Sequence, residues 1–116
     1  MADFVEIANV GELDDGTMMR LTIKENEILV ARVGDKYFCA DNRCPHMGGN
    51  LSQGKLDGTI ITCPRHHSQF DLTDGHVIRW TEWTGLKLTA AKIFKSPSPL
   101  KTYKIKVEDE KIWVML

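Results

Sequence analysis

Apolar and polar residues alternate with a period of two along much of this chain. Met19, Leu21 and Ile23 alternate with Arg20, Thr22 and Lys24, the pattern of a strand with one buried face. Ile28-Leu29-Val30-Ala31-Arg32-Val33 is a nearly continuous apolar, β-prone run, and Gly34-Asp35 turns it into Lys36-Tyr37-Phe38-Cys39-Ala40. Asp57-Gly58 precedes Thr59-Ile60-Ile61-Thr62, and Asp74-Gly75 separates Phe70-Asp71-Leu72 from His76-Val77-Ile78. Near the end, Tyr103, Ile105 and Val107 alternate with Lys104, Lys106 and Glu108 before Asp109-Glu110 turns the chain into Lys111–Met115. Short strands with turns at this spacing predict an all-β barrel or sandwich. One stretch breaks the pattern. Trp83, Leu86, Ala90, Ile93 and Phe94 fall at helical spacing, which predicts a short helix near residues 86–94. Ser96-Pro97-Ser98-Pro99 then forces an extended or turning path.

The chain has 116 residues, 42% hydrophobic and 27% charged, which suits one soluble globular domain over residues 1–116. No internal repeat or shift of composition divides it. No apolar run approaches the roughly 20 residues of a membrane helix. The acidic N-terminus lacks the apolar core of a signal peptide. With three cysteines rather than a dense even set, the expectation is a cytoplasmic protein whose thiols are ligands or buried.

The net charge of −1 argues against nucleic acid as a partner. Its distribution is uneven. Residues 1–35 carry eight acids and three bases, whereas residues 79–106 carry seven bases and one acid, Glu82. Such asymmetry steers docking to a charged partner or simply marks solvated faces.

The chemistry is concentrated in two segments, Cys44-Pro45-His46-Met47-Gly48-Gly49 and Cys63-Pro64-Arg65-His66-His67-Ser68. Each sets a cysteine near a histidine, and sixteen residues separate His46 from Cys63. Both lie where a strand gives way to a loop, so the loops can converge on a metal. Glycine permits close approach of backbone to a bulky group, proline presets the loop, and unpaired backbone N–H groups raise the potential of a cluster whose sulfides they face. Zinc suits two cysteines and two histidines as well, which leaves a zinc-binding structural module as the alternative. A zinc finger, however, pairs like ligands, while each loop here mixes one of each. Two irons explain the mixture if one takes both cysteines and the other both histidines.

The pair Cys44-Pro45-His46 and Cys63-Pro64-Arg65-His66 resembles the Rieske iron–sulfur motif, and the likeness continues through Gly48, Leu51-Ser52, Gly54, Phe70-Asp71-Leu72 and Gly75. The resemblance implies a Rieske-like fold of stacked antiparallel sheets, with a small cluster-binding subdomain of two loops at about residues 41–78. It implies a [2Fe-2S] cluster whose inner iron is held by Cys44 and Cys63 and whose outer, more exposed iron is held by His46 and His66. Two ferric ions, two sulfides and two thiolates sum to zero charge, so an electron adds more easily than to a four-thiolate cluster. High-potential members place a disulfide where this chain has Gly49 and Arg65, and a tyrosine where it has Phe70. Ser68 stands where they set a hydroxyl against a bridging sulfide. With one donor kept and one lost, the expected potential lies in the lower half of a span of about −150 to +300 mV.

These features resemble the ferredoxin branch of the family. They imply a monomeric one-electron carrier that is not itself an enzyme, with a flavin-dependent reductase as donor and a terminal oxygenase as acceptor. A small subunit of a nitrite-reductase-like complex is a further alternative, although such subunits usually lack the ligands that this chain carries. Several residues have plainer readings. Cys39 reads as a buried thiol and His76 as a strand surface residue. His67 reads as exposed or at the cluster rim, and Arg65 as either tuning the cluster or solvated. Trp80 and Trp83 read as packed inward beneath a flap or, with Lys87, Lys92 and Lys95, as a docking element. Imidazole ligands titrate, and oxidised iron favours their deprotonated form. The potential is therefore expected to fall with rising alkaline pH in a redox titration, and a flat profile would count against histidine ligation.

Overall fold

The computed structural model describes residues 4–45, 48–65, 67–80 and 98–116. In chain order its strands are β1 (Phe4–Asn9), β2 (Met18–Ile23), β3 (Asn26–Val33), β4 (Lys36–Asp41), β5 (Lys55–Asp57), β6 (Ile60–Thr62), β7 (Gln69–Asp71), β8 (Val77–Arg79), β9 (Thr102–Tyr103), β10 (Ile105–Glu108) and β11 (Lys111–Met115). Two single-turn 3-10 helices, Val10–Glu12 and Leu51–Gln53, complete the regular structure among the described residues. The helix expected near 86–94 lies outside them. Among the described residues, no helix is long and apolar enough to cross a membrane.

The strands form three antiparallel sheets, in the orders β1-β11-β10, β2-β3-β4-β9 and β5-β6-β7-β8. The reason for this stacking is visible in β3. Leu29 and Ala31 face one core, and Ile28 and Val30 face another, all fully buried. Successive side chains of a strand point to opposite faces, so a run apolar at every position needs cover on both sides. The first core takes Ile61 and Phe70 from the third sheet, together with Leu51, Leu72 and Trp80. The second takes Ala8, Ile112 and Val114 from the first sheet. Cys39 and Ala40 repeat the division in β4.

The alternating run from Tyr103 to Val107, predicted as one strand, is divided. Thr102 and Tyr103 pair with β4, whereas Ile105–Glu108 pairs with β11. At the break the Lys104 carbonyl accepts the Met115 N–H at 2.9 Å, and the chain passes from the middle sheet to the first. Tyr103 strengthens the middle sheet by donating its hydroxyl to Asp41 Oδ1 at 2.5 Å. Strand β1 was not among the predicted elements. It pairs with β11 through a register shift between Glu6 and Ala8.

Gly75 ties the third sheet to the returning chain. It is buried with φ +82°, its carbonyl accepts the Leu100 N–H at 2.8 Å, and a Cβ there would stand 2.0 Å from the Leu100 carbonyl oxygen. A side chain at this position meets both backbone strain and backbone atoms. Gly75→Ala is expected to lower stability by about 3 kcal/mol in urea denaturation. A loss below about 1 kcal/mol would show that Leu100 moves aside at little cost.

Candidate metal centre

The first of the two cysteine loops leaves β4 through Asn42, which is completely buried. Its backbone N–H donates to Glu27 and its carbonyl accepts from Leu51, while its side-chain oxygen accepts the Ser52 N–H at 2.9 Å. A buried amide with these partners fixes both ends of the loop at once. The loop returns through Gly54, where a Cβ would lie 1.9 Å from the Thr62 carbonyl oxygen. The second loop is the tip of the β6–β7 hairpin, which closes with Thr62 opposite Gln69. Arg79, at the end of β8, donates from Nε at 3.0 Å and Nη2 at 2.8 Å to the His67 carbonyl.

The two loops have the same backbone circuit. In the first, Cys44 N–H donates to the Gly49 carbonyl and the Cys44 carbonyl accepts from Gly48 N–H, both at 2.8 Å. In the second, Cys63 N–H donates to the Ser68 carbonyl at 2.8 Å and its carbonyl accepts from His67 N–H at 3.1 Å. The residue four places after each cysteine has a left-handed backbone, φ +75° at Gly48 and +59° at His67. Glycine adopts this region without strain, whereas histidine does so at a cost of about 1 kcal/mol. These circuits occupy the N–H groups of Cys44, Gly48, Cys63 and His67, so the donors a cluster would meet come from other residues of the loops.

Cys44 and Cys63 are buried, 3% and 2% exposed, in the core between the second and third sheets. A Cβ on Gly49 would lie 2.8 Å from Cys63 Sγ and 3.0 Å from Arg65 Cγ and Cδ. The first loop is thus pressed directly against the sulfur of the second. None of the cysteines is in a disulfide. His46 and His66 lie outside the described residues, although in chain order each falls within the span of its loop's circuit. Two loops that share one backbone circuit among their described residues, each contributing a buried sulfur, fit a group with two similar halves. The donor set of thiolate and imidazole suits iron–sulfur ligation.

Ser68 is fully buried, and its hydroxyl donates to the Trp80 carbonyl. Trp80 is 4% exposed and meets Phe70 edge to face, with centroids 6.5 Å apart and planes at 85°. It therefore caps the core and offers no docking surface of its own. Trp83, Lys87, Lys92 and Lys95 lie outside the described residues. His67 is half-buried rather than exposed, and Arg65 is exposed with its stem against Gly49. Cys39 belongs to the other core, where burial and then the Asp41 carboxylate push its thiol up to about 12, which keeps it unreactive. His76 precedes β8 as an exposed residue, with Nδ1 2.5 Å from Asp74 Oδ1. Hydrogen bonds from the His76 N–H and side chain lower the Asp74 carboxyl below its usual range. The sequence reading missed Asn42 and the clamp made by Arg79. A polar residue two places before the first loop cysteine was the only signal of the former, and nothing local marked the latter.

Comparison with known proteins agrees with this geometry. The chain is similar to the ferredoxin component of a naphthalene 1,2-dioxygenase system from Pseudomonas aeruginosa, 24% identical over 113 residues that cover 97% of this chain and 95% of that one. It is 28% identical over 111 residues to the ferredoxin component of biphenyl 2,3-dioxygenase from Rhodococcus jostii (strain RHA1), covering 96% and 91%. Its fold matches a chain in the complex of reduced oxygenase and oxidized ferredoxin in carbazole 1,9a-dioxygenase. There the TM-score is 0.77 at 24% identity, over 95% of this chain and 99% of that one. The family model for the Rieske [2Fe-2S] domain matches residues 3–104, most of the chain's 116 residues, and the chain belongs to that family.

Proposed function

We propose that this chain is a one-electron carrier in which Cys44, His46, Cys63 and His66 hold a [2Fe-2S] cluster. The observation that carries the reading is the pair of matching loop circuits, pressed together where Gly49 meets Cys63 Sγ. When bound, the cluster supplies a centre that takes up and releases one electron at a time. The chain's own residues do the rest. The apolar core holds both sulfurs away from water. The circuits preset the loop backbone, so little rearrangement accompanies binding. Gly49 leaves room for the second sulfur, and Arg79 steadies the loop that carries it.

In this reading residues 41–78 form the cluster-binding subdomain. The chain works as a monomer in the cytoplasm and passes electrons from a flavin-dependent reductase to a terminal oxygenase. Relatives named as ferredoxin components of dioxygenase systems support this place in a chain of carriers. Support for the acceptor comes also from a structural neighbour described as a ferredoxin in complex with an oxygenase.

Protein made anaerobically with ample iron is expected to be coloured. It should contain equal amounts of iron and acid-labile sulfide, and give the electron paramagnetic resonance signal of a one-electron-reduced [2Fe-2S] cluster. Colourless protein containing zinc and no sulfide would overturn the proposal. Ser68 allows a finer test, because its hydroxyl has one proton and Trp80 competes for it. Ser68→Ala is expected to lower the potential in a redox titration. An unchanged potential would leave that proton with the Trp80 carbonyl.

A further inference from the structure

Strand β8 departs from the regular ladder of the third sheet by one residue. Phe70 pairs with Val77, whereas its neighbour Gln69 pairs with Arg79, so Ile78 is an extra residue on the β8 side. A bulge of this kind re-aims the side chains that follow it. Cross-strand partners share a face of the sheet, and Phe70 is buried in the core. In unbroken register Arg79 would stand opposite Ser68, on the same face as Phe70. The bulge moves it to the outer face beside Gln69 and leaves Ile78 42% exposed. Trp80, one place further on, turns back to the core against Phe70.

Arg79 and Trp80 then hold two consecutive residues of the second loop. Arg79 donates from Nε and Nη2 to the His67 carbonyl, and the Trp80 carbonyl accepts the Ser68 hydroxyl. His67 and Ser68 are in turn the residues that fix Cys63, one through its carbonyl and the other through its N–H. His67 has a left-handed backbone, φ +59°, at the place where the first loop has Gly48 at +75°. Glycine adopts this region freely, whereas a histidine persists there only when its surroundings over-determine it.

We propose that Arg79 is a positioning residue for the cluster. Set on the outer face by the bulge at Ile78, it holds His67 left-handed and so keeps the backbone around Cys63 in the shape that retains the iron–sulfur group. The proposal rests on the cluster reading above. Its distinctive consequence is conditional: the need for Arg79 comes from His67, and it disappears once position 67 is glycine.

The wild-type holoprotein is first shown by its visible spectrum and its iron and sulfide content to carry the cluster, so a failure of the cluster reading is recognised before any variant is compared. Bleaching of the spectrum in excess EDTA then gives the rate of cluster loss. Electron paramagnetic resonance of the reduced protein reports the geometry of the cluster that remains. Arg79→Met keeps most of the stem and removes the donors. It is expected to lose the cluster about fivefold faster and to broaden the resonance, a change that lowered global stability alone would not produce. In the His67→Gly background, Arg79→Met changes the rate less than twofold, whereas an effect of the lost charge would persist in both backgrounds. Should His67→Gly fail to hold a cluster by itself, His67→Asn, which also tolerates the left-handed region, takes its place. An Arg79→Met protein that bleaches at the wild-type rate, or a loss of equal size in both backgrounds, would overturn the proposal. Should Arg79→Met take up no cluster at all, recovery of the cluster in the double variant supports the proposal and its continued absence overturns it.

Discussion

The burial of β3 and β4 on both faces is the constraint on which this structure rests. A strand that is apolar at consecutive positions cannot lie on a surface without exposing half of its side chains. Ile28, Leu29, Val30 and Ala31 are all completely buried, which places one sheet above β3 and another below it. Burial of each such side chain contributes about 1.5–3 kcal/mol for the larger residues, so the middle sheet organises both cores. It also separates their roles. The core shared with the first sheet holds Cys39, whose thiol burial makes unreactive. The core shared with the third sheet contains Cys44 and Cys63.

The site grows out of the second of these cores. Each cysteine is the point at which a strand leaves the core for a loop, so its sulfur is buried while the rest of the loop reaches outward. The loops repeat one backbone circuit with different residues, Gly48 in one and His67 in the other at the left-handed position. The strain at His67 is held by neighbours, its N–H on Cys63 and its carbonyl on Arg79. The close approach at Gly49 then brings the two circuits into register, and no side chain larger than hydrogen fits between them without displacing Cys63 Sγ or Arg65. The same packing that excludes water from the sulfurs sets Arg65 and Arg79 at the surface beside them.

Much of this was legible in the chain. Alternation and turn residues predicted most of the strands from Met19 onward, though not the short β5, because period-two patterning and residues such as Gly34, Gly58 and Gly75 are local signals. The two mixed Cys–His loops pointed to their chemistry for the same reason, since ligand type and spacing are written in order along the chain. Strand β1 was not, for its pairing with β11 joins the two ends of the sequence. Nor was the division of the run Tyr103–Val107, where β4 and β11 compete for one segment and each takes part of it.

The sequence by itself determined an all-β chain with two loops able to carry an iron–sulfur group, because strand period and ligand identity depend on neighbours within a few residues. Only the tertiary structure decided that Gly49 lies on Cys63, that Asn42 anchors the first loop and that Arg79 clamps the second. The same holds for Trp80, which is buried edge to face against Phe70. Each of these depends on a contact between residues brought together by stacking of the sheets, and such contacts leave no periodic trace along the chain.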